Sequence, residues 1–146
     1  MNEIPERLTA KPSWLITQLA VHTRRLVSAG FTAAGARGYH YRLLAALHEF
    51  GPMSQAELGR RCRVDRSDVV AALGELTEQG FVIRTPDPDH GRRNKVTLTP
   101  DGARQLRTMD QVLDQVQDEL LGPLPEEDRQ TLTHLLGRVL AHHEPR

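Results

Sequence analysis

The chain has little of several features on which whole classes of protein depend. One cysteine in 146 residues, Cys62, excludes an internal disulfide framework and a multi-cysteine zinc site. No apolar run approaches the ~18 residues of a membrane span, and residues 1–11 lack the apolar core of a signal peptide. These absences predict a soluble, cytoplasmic protein without a membrane partner. The length fits one domain, or a small domain with an appended oligomerisation region.

The residue patterns on which catalysis depends are also missing. No glycine-rich loop follows a strand pattern, and no nucleophile, base and orienting group can be placed together. The seven histidines form no His-x-x-x-His or Glu-x-x-His pair. We therefore expect no enzyme, no metal and no cofactor.

Overall charge is balanced, with 19 basic and 19 acidic residues, but the two signs are segregated along the chain. Residues 1–53 carry a net charge of +3, residues 54–99 carry +1 and residues 100–146 carry −4. In the middle third the basic residues form two clusters: Arg60, Arg61, Arg63 and Arg66, and then Arg92, Arg93 and Lys95. This segregation indicates one surface for an anionic partner and another for a different contact.

Apolar spacing divides the chain into helices and one hairpin. The predicted order is helices over 13–29, 39–50, 55–62 and 66–79, strands over 81–85 and 95–99 joined by a loop over 86–94, a helix that begins at Pro100, and a last helix that begins at Glu126.

Capping residues support these boundaries. Ser54 and Glu57 form a capping box, in which each side chain is expected to bind the other's backbone N–H group. Asp65 is a good N-cap, Gly80 a good C′ residue, and Thr99 a second N-cap before a proline.

Two short helices joined by a tight turn and followed by a basic hairpin predict a winged helix-turn-helix. In this device the second helix enters the major groove with its N-terminus first, and the hairpin lies along the backbone or minor groove. The residues expected to contact DNA are Ser54, Gln55, Arg63, Arg66, Ser67, Asp68, Arg92, Arg93, Asn94 and Lys95. The alternatives are a helical domain with merely solvated arginines, or a winged helix that binds protein without tight, specific DNA binding.

The sequence resembles the multiple-antibiotic-resistance regulator (MarR) family of transcription factors across residues 13–143. The most specific stretches are 54–61, 64–67 with Leu73 and Leu76, 80–82, and the end of the wing with Arg92 and 98–102. The resemblance implies a mainly α fold with a β-hairpin wing and an intertwined homodimer. It also implies a repressor that a small aromatic or anionic ligand releases from DNA. A two-fold dimer would present its two recognition helices to half-sites about 34 Å apart, which predicts a palindromic operator. His90 stands where the family pattern has an aspartate, so the acid that would brace Arg92 is missing unless Asp87 or Asp89 replaces it.

On this resemblance we divide the chain into an N-terminal arm and dimerisation helix (1–38), a winged helix-turn-helix domain (39–99) and C-terminal dimerisation helices (100–146). The residues expected at the dimer interface are Leu15, Leu19, Leu113, Val116, Leu120, Leu132, Leu136, Val139 and Leu140. The candidates for a ligand pocket are Trp14, His22, Tyr39, His40 and Tyr41.

Two residues admit two interpretations each. Asp68, in the first turn of the second short helix, either interacts with the helix dipole and the Asp65 cap or accepts a hydrogen bond from a cytosine amino group. Cys62 is either a buried structural thiol, which its spacing from Leu58 favours, or an oxidant-sensing thiol.

Overall fold

The computed structural model describes residues 3–144, apart from the side chains of His90, Arg92 and Arg93. In this part of the chain the elements are α1 (Glu6–Thr9), α2 (Pro12–Ala33), α3 (Gly38–Phe50), β1 (Met53–Ser54), α4 (Gln55–Cys62), α5 (Arg66–Glu78), β2 (Val82–Asp87), β3 (His90–Leu98), α6 (Pro100–Leu120) and α7 (Glu126–His143). The predicted fold class, mainly α with a hairpin wing, is confirmed. No helix in residues 3–144 is both long and apolar enough to cross a membrane.

The core lies between the three helices of the winged domain, its sheet and α6. Leucines from α3, α4 and α5 and valines from the sheet are fully buried there: Leu43, Leu44, Leu58, Leu73, Leu76, Val82 and Val96. Met109 of α6 closes the core from the other side. The apolar spacing therefore identified the inward face of each of these helices.

The sheet has the strand order β1-β3-β2 with antiparallel pairing throughout. The loop predicted over 86–94 is wrong, because β2 continues to Asp87 and β3 begins at His90, which leaves a two-residue turn. Pro86 pairs with Asn94, and the register is irregular directly after Pro86. Proline is tolerated here because β2 is the edge strand of the sheet. The two-residue strand β1 and the four-residue helix α1 are too short to show a periodic pattern, and both were missed.

A single turn connects α5 to the wing. Gly80 adopts φ 79°, its N–H group donates to the Thr77 carbonyl oxygen at 3.0 Å, and the Phe81 N–H group donates to the Leu76 carbonyl oxygen at 2.9 Å. These two bonds form a Schellman motif, so the predicted role of Gly80 is confirmed.

Only some of the predicted N-cap hydrogen bonds are formed. Thr99 Oγ1 accepts from the Gly102 N–H group at 3.0 Å, as predicted. Ser54 Oγ accepts from the Glu57 N–H group at 3.2 Å, but the Glu57 carboxylate binds Arg61 one turn later instead of returning to Ser54. The predicted hydrogen bond from the Ser54 N–H group to the Glu57 carboxylate is therefore wrong. The carboxylate binds the Arg61 guanidinium instead, because a charged donor forms a stronger hydrogen bond than a backbone N–H group. Asp65 occupies the N-cap position of α5 without a side-chain cap hydrogen bond.

Helix α6 packs against α2 within the same chain. A Cβ atom on Gly30 would lie 2.8 Å from Val112 Cγ1, so the glycine allows the two helices to approach closely. Val116 is buried at this contact, and Leu113 packs against the core. The expectation that Val116 remains free for a second subunit is corrected, because α2 already covers it. Leu113 is half-buried, and its expected place in a dimer interface stays a prediction.

Candidate nucleic-acid interface and ligand cavity

The N-terminal end of α5 is exposed on the surface of the winged domain. Val69 and Leu73 anchor the helix in the core, while Arg66 and Ser67 are exposed. Positively charged and hydroxyl side chains at an exposed helix start can reach base edges or phosphates. The structure thus leaves these two predicted residues available.

Asp68 lies elsewhere. It is half-buried and faces a cavity between α3 and α5, together with Glu75 two turns later. The Asp65 side chain forms no cap hydrogen bond at the start of α5, so the capping interaction that Asp68 was expected to reciprocate is not formed. Asp68 lies in the first turn of α5, as its interaction with the helix dipole requires, while base reading by this residue stays a prediction.

The wing is joined directly to the helix-turn-helix. Ser54, the N-cap of α4, pairs with Lys95 of β3, which places the base of the wing beside the start of α4. Asn94 is exposed and faces Pro86 across the hairpin. Arg92 and Arg93 belong to β3, but their side chains lie outside the described part, so their predicted DNA contacts stay predictions.

The turn between α4 and α5 is held by an unusual backbone conformation. Arg63 adopts φ 55°, the left-handed region that non-glycine residues rarely occupy, and its guanidinium forms an ion pair with Glu144 after α7. Through this ion pair, the Arg63 side chain is already partly engaged within the chain.

Gln55, another residue predicted to contact DNA, is half-buried in the first turn of α4.

A cavity of about 440 Å³ lies where α3 meets α2, α5 and α6. Tyr39, His40 and Tyr41 line it, as predicted for a ligand pocket. Trp14 and His22 do not, because α2 contributes its C-terminal half, with Val27 and Phe31. The volume falls within the ~300–1,000 Å³ range of small-molecule sites.

A charged cluster joins the two helices at this cavity. Arg37 Nη1 lies 3.3 Å from Glu75 Oε1, and His40 Nε2 lies 3.0 Å from Glu75 Oε2. Burial lowers the pKa of His40 below 6.5, although the Glu75 carboxylate opposes this shift. The neutral imidazole, protonated on Nε2, therefore donates to Glu75 and links α3 to α5.

A hydrogen bond to helix α6 fixes the side chain of Tyr41. Its hydroxyl donates to Asp110 Oδ1 at 2.7 Å, and this bond, with burial, raises the pKa of Tyr41 to about 12. The ring stacks on Phe31 with centroids 5.9 Å apart. Tyr41 thus offers an aromatic surface to the cavity rather than a free hydroxyl.

Sequence reasoning missed the charged lining of this cavity. Arg37, Arg42 and Glu75 all face it. Arg42 follows Tyr39 by three residues on α3, a spacing that puts both on one face and could have been recognised. Arg37 lies outside any periodic pattern, and only the packing of α5 on α3 brings Glu75 to it.

Cys62 is buried at the end of α4. Its Sγ donates to the Arg42 carbonyl oxygen at 3.3 Å, and burial raises the pKa of the thiol. A thiol with a raised pKa carries little thiolate, so these contacts support the structural interpretation.

The MarR family model matches residues 29–93. The multiple antibiotic resistance protein MarR of Salmonella typhimurium is 30% identical over 101 residues, which cover 68% of this chain and 70% of that protein. The chain belongs to the MarR family. Its relatives are named as transcriptional regulators, so the chain is a regulator and not an enzyme.

Two further MarR-family comparisons bear on this regulator. The HTH-type transcriptional repressor NicR of Pseudomonas putida is 32% identical over 97 residues, covering 66% of this chain and 61% of NicR. A crystal structure of a mutant MarR from E. coli complexed with operator DNA has a TM-score of 0.72 and 25% identity, covering 86% of this chain and 91% of that chain.

Proposed function

We propose that this MarR-family regulator is a homodimer that binds a palindromic operator and represses transcription until a small ligand releases it. The observation that carries the proposal is the exposed start of α5, with Arg66 and Ser67, on a domain whose wing is joined to the same helix-turn-helix. The structure of a related MarR bound to operator DNA and the repressor NicR support it.

The DNA contact follows from this arrangement. We propose that α5 enters the major groove, where Arg66 reaches base edges, and that Asn94 and Lys95, with Arg92 and Arg93, meet the neighbouring backbone or minor groove. Two such helices in a two-fold dimer would address half-sites about 34 Å apart.

The proposed dimer uses apolar surface that the chain leaves uncovered. On α7, Leu136, Val139 and Leu140 are exposed and Leu132 is half-buried, and no residue of α7 is buried. On α2, Leu15 and Leu19 are exposed as well, and Leu120 is half-buried at the end of α6. Because apolar burial contributes about 25 cal/mol per Å², pairing these surfaces between two subunits is strongly favoured.

This proposal keeps the division into dimerisation regions (1–38 and 100–146) and a winged domain (39–99). The exposed apolar residues of α2 and α7 fall in the former, and the exposed start of α5 falls in the latter.

We further propose that the cavity holds a small aromatic or anionic ligand. Tyr39 and Tyr41 supply aromatic surface, and Arg37 and Arg42 supply positive charge. A ligand carboxylate that binds Arg37 would compete with Glu75 and loosen the link between α3 and α5. Benzoate is a suitable probe, and it should raise the melting temperature of the protein and weaken its DNA binding.

A gel-shift titration tests the central proposal. The full chain is titrated against the DNA upstream of its own gene and against random duplex at several salt concentrations. We expect tight, sequence-selective retardation that weakens with salt. Weak retardation of both duplexes would instead favour a protein-interaction module. The small number of polar side chains on the outer face of α5 is consistent with that second function.

A further inference from the structure

Val70 is an exposed apolar residue on the helix proposed to enter DNA. Its neighbour Val69 is 1% exposed and belongs to the core, whereas Val70 is 47% exposed. A β-branched residue also lowers helix propensity relative to alanine. Valine at position 70 is therefore much less important to the core than valine at position 69.

The position of Val70 places it on the outer face of α5. It follows Ser67 by three residues and precedes Gly74 by four, so the three lie along one exposed strip of the helix, at the edge of the buried face that carries Val69 and Leu73. All three are exposed, and an added Cβ on Gly74 would have no atom within 4 Å. Almost half of the surface of Val70 thus remains accessible to a partner.

The acidic side chains nearest to Val70 along the helix are directed away from this face. Asp68 and Glu75 line the cavity against α3, and Glu75 is held there by Arg37 and His40. One turn beyond the N-terminal Arg66, the surface that α5 offers to a partner is therefore dominated by the isopropyl group of Val70.

In the major groove thymine is the one base that presents a methyl group, at C5, while the remaining positions present mainly hydrogen-bond donors and acceptors. We propose that Val70 contacts the C5-methyl group of a thymine in each half-site and so specifies an A·T pair there. This inference rests on the proposed DNA binding and names the base-pair preference of the same surface.

The test begins with selection of duplexes from a random pool by the full chain. Each thymine common to the selected sites is then replaced by uracil, which removes only the methyl group, and affinities are measured for the wild type and Val70→Ala at one salt concentration. Thermal melting of Val70→Ala checks the fold, and uracil at the other thymines is the matched DNA control.

We expect one thymine position, present in both half-sites, to respond to uracil. Replacing it in one half-site should weaken wild-type binding about fourfold, the effect of one buried methyl-sized group, and replacing it in both half-sites should weaken binding about fifteenfold. Val70→Ala should bind the thymine duplex more weakly than the wild type does, by a similar factor, and should melt at the same temperature. Replacing thymine by uracil should not weaken the binding of Val70→Ala any further. Equal affinity of the wild type for thymine and uracil at every position overturns the inference, as does a uracil effect that persists in Val70→Ala. Failure of the wild type to enrich any duplex would instead overturn the proposed DNA binding, and this inference with it.

Discussion

His40 Nε2 lies 3.0 Å from Glu75 Oε2, and this contact joins helix α3 to helix α5, whose N-terminal end is exposed. The imidazole is buried, while the carboxylate is partly exposed at the cavity and also binds Arg37. Any change in this contact, by a proton or a ligand, acts on the helix proposed to contact DNA. Glu75 therefore connects the cavity to the helix that we propose contacts DNA.

The first prediction concerns pH. Because burial lowers the pKa of His40 below its unfolded value of 6.5, the unfolded chain binds more protons at this site than the folded chain does. Stability from His40 is therefore present above about pH 6.5 and is lost as the pH falls from there towards the folded pKa. The loss cannot exceed about 1.4 kcal/mol per pH unit for one proton.

Urea denaturation of the wild type and His40→Gln at pH 7.5 and 5.5 measures this effect. Glutamine retains a donor for Glu75 but cannot titrate, so the stability advantage of the wild type over the variant should shrink at the lower pH. His134→Gln, at an exposed position of α7, controls for the loss of a histidine as such. A difference between wild type and His40→Gln that does not depend on pH would contradict the prediction.

The second prediction concerns Gly102, at the junction of the wing and α6. A Cβ atom there would overlap the Phe81 carbonyl oxygen and lie 2.7 Å from Leu98 Cδ1. Because a backbone carbonyl cannot move aside cheaply, Gly102→Ala should lower the free energy of unfolding by about 1–3 kcal/mol. Chemical denaturation at fixed protein concentration measures it.

Gly74→Ala is the matched control for that variant. Gly74 is also a helical glycine, but an added Cβ would meet nothing within 4 Å. The change should raise stability by up to about 1 kcal/mol through helix propensity alone. If Gly102→Ala proved as stable as Gly74→Ala, the close packing at the wing junction would be wrong.

The sequence predicted those features whose signals are local. The caps at Thr99 and Gly80 and the buried positions of α5 depend on neighbouring residues, and the structure confirms them. The direction of Asp68 depends instead on where α3 packs, and the strand β1 exists only because β3 pairs with it. Contacts between segments distant in sequence decided these features, so no local pattern could reveal them.

The third prediction concerns the proposed dimer. Val139 is 53% exposed on the apolar face of α7, whereas Ala141 lies on the opposite face of the same turn. Val139→Glu should shift the protein towards monomer and lower its melting temperature, because a charge would be buried in the interface. Ala141→Glu should remain dimeric. Sedimentation at micromolar concentration distinguishes them, and a monomeric wild type would contradict the proposed homodimer.

The last prediction concerns base reading by Arg66. This residue is exposed at the first position of α5 and can donate a bidentate pair to guanine O6 and N7. Arg66→Ala should lower the preference for operator over random duplex by about five- to 150-fold per half-site, which corresponds to about 1–3 kcal/mol of discrimination. Non-specific binding should change little, because it depends mainly on phosphate contacts.

Both dissociation constants are measured at one salt concentration, with Arg104→Ala as the control. Arg104 is an exposed arginine on α6 that pairs with Asp101, outside the proposed DNA surface, so its removal should leave both constants unchanged. If Arg66 contacts phosphate instead of a base, affinity for both duplexes should fall by the same factor. An unchanged ratio of operator to random affinity in Arg66→Ala would therefore remove this residue from base reading and leave it, at most, as a backbone contact.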